Sequence, residues 1–448
     1  MATKASLISP VMRQALGQRI VLVASIVTYV AVFQWMYKNY LYPTWDYFGF
    51  HYDPPPGGYL LLAWVLSVTP SLWMPMRLKR PSQLAYWILY ITVFIPSMFV
   101  PLYAGFSTLE DIAKLMLTLA AGCAIIGGNY KLPLFEWKPL KITRRVFWTG
   151  FGCVAIALAS WLLLTFHNHL QFLSFNDIYD LRDIQNDVSE GSLVNYAFML
   201  LSGAINPFLM GFGLYSKRVL VFGAGALGQL LVYTVGGTKG SILSIFFLLG
   251  FYLLFQMKRL LFAHKLAVGS LALLSTACLS LVWTEYEPGP IHTVALFVVL
   301  MRSLSINGLV TAQYYDFFQH NPVTFYSHLK VVDWFVQYPY KYPVGEEIGV
   351  AFAGTTNLDA TANFWATDGL GGLGLPGVLL MSIFCALVFW ALDSAAKKHD
   401  PRLAALVSCY GAYNIANISI FTSLLSGGLA LVILSLCLMP PETRANLK

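Results

Sequence analysis

The chain alternates between apolar windows long enough to cross a membrane and short polar stretches. A helix needs about 20 apolar residues to cross a hydrocarbon core roughly 30 Å thick. Twelve windows approach or meet that length: 20–38, 58–76, 84–104, 111–129, 147–166, 193–213, 219–236, 241–257, 266–284, 371–392, 402–419 and 424–439. The pattern predicts an all-α, polytopic bundle of about twelve spans, a single integral membrane domain over 1–448. Two polar stretches read as outer loops, 167–192 and 285–370. The second carries most of the polar side chains, and a polar loop on an apolar scaffold is where a site is expected.

Within the larger loop, HTVALFVVLM (292–301) predicts a helix packed near the interface rather than another span. TFYSHLKVVDWF (324–335) places Phe325, Leu329, Val332 and Phe335 at helical spacing, which predicts an amphipathic helix in the headgroups. YPYKYPVG reads as a Pro-broken connector.

Composition agrees with the pattern: 57% of residues are hydrophobic and 11% charged, against roughly a quarter charged in soluble domains. Mean hydropathy is +0.64. The basic residues orient the spans. Lys4, Arg13, Arg19, Arg77, Lys79, Arg80, Lys131, Lys138, Lys141, Arg144, Arg145, Lys217, Arg218, Lys258, Arg259, Lys265, Lys397, Lys398, Arg402, Arg444 and Lys448 all fall on one side. By the positive-inside bias that side is cytoplasmic, with both termini. The net charge of +7 therefore reports topology and anionic lipid rather than nucleic acid. The start of the chain reads as an uncleaved signal-anchor. All six cysteines lie in apolar runs and read as small core hydrophobes.

The spans carry few ionisable residues, and no internal repeat is visible. Transporters keep such groups at mid-membrane, so chemistry is expected at the outer membrane–water boundary. Against the charge bias, Arg182, Lys239 and Arg302 lie outside. An outer cation beside glycine-opened backbone suits a lipid-linked phosphate; a snorkelling side chain is the plain alternative. Asp177, Asp180, Asp183 and Asp187 surround Arg182 at helical spacing, either a hard-cation face or a solvated one. His320, His328, Asp316, Asp333, Glu346 and Glu347 are candidate bases for deprotonating a hydroxyl. No G-x-S-x-G, metalloprotease helix or phosphate-binding glycine loop occurs.

Three stretches, GGTKG (236–240), LMRSLSINGLVTAQYYDFFQHNP (300–322) and ANFWATDGLGGLGLPGVLL (362–380), together with the span number, resemble the Wzy-type polymerases of O-antigen and related surface polysaccharides. Members commonly carry arginine where this chain has Lys239, which keeps the charge but loses the bidentate fork.

The resemblance implies a GT-C glycosyltransferase of the bacterial inner membrane, working on the periplasmic side without metal or cofactor. It would join repeat units on undecaprenyl pyrophosphate, with the lipid bilayer and a chain-length regulator as further partners. Arg302, Lys239 and Arg182 would then hold pyrophosphate; Tyr314, Tyr315, Asn363 and Asp368 would contact sugar or lipid. His328, His320 or Asp316 would be the base. Three rival readings stay open: an O-antigen ligase, a metal-dependent GT-C enzyme with Asp46 and Asp53 as ligands, and a lipid-linked sugar flippase.

Overall fold

The computed structural model describes residues 10–136, 142–168, 193–287, 289–356 and 359–441. The described residues are helical and contain no strand. Among the described residues, nine helices are long and apolar enough to cross a membrane. These are α1 (Met12–Phe48), α3 (Ser82–Ala104), α5 (Arg144–Phe166), α6 (Leu193–Ser216), α7 (Val219–Gly236), α8 (Lys239–Gln256), α9 (Phe262–Trp283), α14 (Leu375–Ala395) and α16 (Ile420–Leu438).

The remaining three of the twelve expected windows are helical as well, with qualifications. The helix α2 (Gly57–Trp73) is shorter than a full span. The helix α4 (Leu109–Gly128) opens on Glu110, Asp111 and Lys114, and α15 (Pro401–Ile415) has 15 residues. Conversely, the region read as an outer loop holds α10 (Pro290–Ser303) and α11 (Ile306–His320). This pair, bent by 46°, passes the same test when joined, so the helices able to span number nine or ten among the described residues. The smaller α12 (Val344–Ala353) follows, and α13 (364–373) precedes α14.

The expected amphipathic helix over 324–335 does not form. Residues 324–329 are a run of turns, and only Lys330–Asp333 makes a helical turn. Phe325 and Tyr326 take left-handed conformations, φ 49° and 63°, which no helix tolerates.

Two compact units emerge. The first comprises Met1–Arg77, Leu89–Gly127 and Lys258–Ile383; the second comprises Leu78–Ile88, Gly128–Met257 and Phe384–Lys448. In the first, α11 lies against the second half of α3 so closely that a Cβ on Gly308 would meet the Pro96 carbonyl at 2.6 Å. Arg19 donates to the carbonyls of Ser71 (2.9 Å) and Met74 (2.7 Å). It thereby satisfies carbonyls that the end of α2 leaves open.

In the second unit the core is aliphatic and aromatic, including Phe147, Phe208, Phe212, Leu392, Val407 and Leu436. One buried carboxylate ties three helix ends there. Asp393 accepts from the Ser82 amide (3.0 Å) and hydroxyl (2.7 Å) and from Asn129 (3.5 Å), with Arg80 at 3.9 Å. Of the six cysteines, Cys123, Cys278, Cys385 and Cys409 are buried and Cys437 is half-buried. Cys153 instead lies on the exposed face of α5, so it is not a core residue.

Candidate active site

The polar centre of the first unit is built by a strap, residues 324–328, laid across α13. Thr324 donates from its amide (2.8 Å) and hydroxyl (2.9 Å) to the Gly371 carbonyl, and the Phe325 amide donates to the Gly372 carbonyl (3.0 Å). Glycine is needed beneath it: a Cβ on Gly372 would come within 2.6 Å of the Tyr326 ring. The two successive left-handed residues turn the chain so that His328 faces back into α13. Such backbone costs on the order of 1–3 kcal/mol per residue and persists where the surroundings over-determine it.

That turn brings together two residues forty apart in sequence. His328 Nε2 lies 3.5 Å from Asp368 Oδ1, and the Asp368 carboxylate is fully buried. On the other edge of the ring, His328 Nδ1 is 3.4 Å from Thr324 Oγ1. Nε2 is shut off from solvent, whereas the side chain as a whole is 18% exposed, so a proton exchanged with a ligand passes through the Nδ1 edge. With Nε2–H toward the carboxylate, Nδ1 carries the lone pair, a tautomer assigned from the surroundings. The Thr324 hydroxyl spends its proton on Gly371 and turns oxygen lone pairs toward Nδ1. An imidazolium formed by proton uptake would thus have an acceptor at each nitrogen. Both separations are looser than a formed hydrogen bond, as is common before substrate binds.

Tyrosines line the pair. The Tyr326 ring stands 6.3 Å from that of His328. Burial first, and the Asp368 charge second, push the Tyr326 hydroxyl up to about 12. Tyr314, buried on α11, is hydrogen-bonded with Thr367 and also feels the Asp368 charge. Beyond them, Tyr340 packs on Phe317 (5.6 Å) and Phe318 (6.2 Å).

Arg302 and Asp368 share one uncommon feature. Arg302 lies in a π-helical stretch, Phe297–Ser303, and Asp368 in another, Trp365–Leu370; such bulges recur at functional sites, though Tyr37–Leu41, Tyr90–Phe94 and Leu201–Ile205 are π-helical too and the feature alone does not mark the site. Ser303 and Ser305 return their hydroxyls to the carbonyls of Val298 (2.7 Å) and Leu300 (2.8 Å), which satisfies backbone freed by the break. Arg302 is exposed at the α10–α11 bend and makes no ion pair among the described residues.

The other expected site residues that the structure describes mostly have partners of their own. His320 is exposed and turns Nδ1 to the Asp316 carbonyl of its own helix (2.9 Å). The Asp316 carboxylate accepts from Ser107 (3.2 Å). Tyr315 is buried and pairs with Gln319. Asn363 caps α13, accepting from the amides of Trp365 (3.1 Å) and Ala366 (3.2 Å) while donating to Thr311 (2.9 Å). Both its side-chain oxygen and its amide nitrogen thus have partners within the chain.

Glu347 is occupied with the amides of Lys341 (3.1 Å) and Tyr342 (2.8 Å). Lys239 belongs to the second unit, half-buried at the start of α8. Arg182 and Asp177, Asp180, Asp183 and Asp187 lie outside the described residues. Asp46 pairs with His51 at 2.7 Å, and Asp53 is exposed. No group of three or more His, Cys, Asp or Glu side chains converges among the described residues.

Thr324, Tyr326 and Thr367 were not singled out by the sequence. The signal available for them was the glycine pair Gly371–Gly372, which invites close approach by another segment. No protein-family model, curated protein or solved structure matches the chain.

Proposed function

We propose that this protein is a membrane glycosyltransferase that polymerises oligosaccharide repeat units carried on a polyprenyl pyrophosphate, at the outer membrane–water boundary. The observation that carries the reading is the juxtaposition of His328 with the buried Asp368 in a tyrosine-lined corner of a helical membrane protein. A base held by a second group is the arrangement that activates a hydroxyl nucleophile. In the proposed step a sugar hydroxyl of the incoming repeat gives its proton to His328 Nδ1. Its oxygen bonds to the anomeric carbon of the growing chain, whose bond to the pyrophosphate oxygen breaks. The lipid pyrophosphate leaves with its negative charge beside Arg302. Asp368 holds the ring and stabilises the imidazolium, which later returns its proton to water or to the leaving group.

The test is lengthening of a polyprenyl-pyrophosphate-linked repeat unit by the purified chain in liposomes. Wild type should extend it, and His328→Gln should lower the rate by about 10²–10⁴-fold, the usual range for general-base loss. Wild-type protein that extends nothing, while cells lacking it fail to present lipid-linked repeats on the outer face, would make the chain a flippase. Extension should survive a chelator. Loss with EDTA and recovery with magnesium would favour the metal-dependent alternative.

A further inference from the structure

Far from the histidine–aspartate pair in sequence, the second unit carries an apolar groove of about 250 Å³. Ile142, Val146, Gly150 and Phe151 form one wall, and Leu434 and Leu438 of α16 the other. The wall residues are open to the outside: Val146 is 62% exposed and Leu434 52%. Apart from Ile142, which precedes α5, these positions sit on helices of membrane-crossing length and apolarity, and in a hydrocarbon layer the material available to fill an apolar groove is an aliphatic chain.

Two basic residues adjoin the lining at one end. Arg144, the first residue of α5, falls between the lining residues Ile142 and Val146. Lys398 donates to the Cys437 carbonyl (2.6 Å), one residue from the lining residue Leu438. An ammonium has three donors, so two remain for a second acceptor. A lysine and an arginine adjoining the lining of an aliphatic groove match a lipid with an anionic headgroup. This end is the one the Lys/Arg bias assigns to the cytoplasm.

We propose that this groove is a binding site for an anionic phospholipid, with one acyl chain between α5 and α16 and the phosphate at Arg144 and Lys398. The inference is independent of the proposed reaction. It is tested on the full chain in bilayers doped with phosphatidylglycerol or phosphatidylcholine bearing a photoreactive diazirine in the acyl chain, with crosslinked peptides mapped. Peptides over 142–154 and 431–438 should carry roughly fivefold or more label from phosphatidylglycerol than from phosphatidylcholine.

A Cβ on Gly150 meets nothing within 4 Å, so Gly150→Leu fills the groove without a backbone clash. It should cut that label several-fold while leaving the label around Leu164, 74% exposed farther along α5, unchanged. Arg144→Gln with Lys398→Gln should bring the two lipids level. If Gly150→Leu does not give monodisperse protein, Val146→Phe serves in its place. Equal labelling by both lipids in wild type would mean bulk lipid contact and overturn the proposal. So would labelling that the filling variants leave untouched, or displacement by a prenyl phosphate but not by phosphatidylglycerol.

Discussion

The work assigned to His328 depends on what flanks its two nitrogens. Asp368 is fully buried and Thr324 has its proton committed to Gly371, so an imidazolium there would face an acceptor on each side. Asp368→Asn keeps the shape but removes the charge that would stabilise the imidazolium. It should slow polymerisation on the order of 10²-fold in kcat while leaving acceptor KM within about twofold; rapid-quench and steady-state kinetics measure the split. His320 offers the contrast. It is exposed and bonded to its own helix, so His320→Gln should leave the rate near wild type, and a loss comparable to His328→Gln would move the base there. Arg302 carries the leaving-group charge in the proposed step. Arg302→Ala should cost roughly 100-fold, with Arg302→Lys recovering part of it as a point charge without the fork. Near-wild-type polymer from Arg302→Ala at matched expression would remove that role.

At the scale of elements, the strap and α13 stand or fall together. Gly372→Ala would drive a methyl into the Tyr326 ring, displacing the strap that aims His328 while leaving the packing of α11 on α3 intact. Activity should therefore fall more than tenfold for a loss of only about 1–2 kcal/mol in stability, read by comparing rate with thermal unfolding. The strap also shows why part of this region was hidden in the sequence. The apolar spacing of Phe325, Leu329, Val332 and Phe335 is genuinely helical, but the Thr324 and Phe325 backbone bonds to Gly371 and Gly372 win over it. Phe335 is left 83% exposed. The long spans were legible because an unbroken apolar window dictates its own structure, and His328, Asp368 and Arg302 were all candidates by residue type. The pairing of His328 with Asp368 was not legible, since a contact across forty residues leaves no periodicity.

A second element-scale consequence lies at the end of α16. His399 is buried and bonds the Leu436 carbonyl through Nε2 (2.9 Å). Burial is the main cause that lowers it to about 4 from 6.5. The unfolded chain then binds this proton more readily than the folded one. The contribution of His399 is fully present above about pH 6.5 and is lost as pH falls toward 4, by up to roughly 3 kcal/mol. His399→Gln keeps an N–H for Leu436 without a titrating ring, so its melting temperature should fall less than that of wild type between pH 6.5 and 4.5. Parallel melting curves for the two proteins would show that His399 does not titrate in that window.

Over the whole molecule, charge is sorted by ends within each unit. In the first, Arg19 caps α2 and His264 bonds the Gln18 carbonyl (2.8 Å) near the start of α1. Along α1, 27 residues separate Arg19 from Asp46, about 40 Å at 1.5 Å per residue. At that far end, the Asp53 amide meets the Tyr103 carbonyl and Ser107 meets Asp316. In the second unit, Arg80 bonds the Leu132 carbonyl, Lys397 pairs with Glu136, and Lys398 and His399 cap α16. If the Lys/Arg rule governs insertion, those basic ends face the cytoplasm and the strap faces outward.

The test needs reporters that reagents can reach. Ser327 and Ser394 are buried at 3% and 4% exposure, so cysteines there would report burial instead of side. Gln337, beyond the strap, and Lys397, beyond α14, are both exposed. With the six native cysteines replaced, Gln337→Cys should react with a membrane-impermeant maleimide on intact spheroplasts, and Lys397→Cys only after permeabilisation. The reverse pattern, or equal reaction of both before permeabilisation, would overturn the orientation. It would also take His328 away from the face where the proposed acceptor waits.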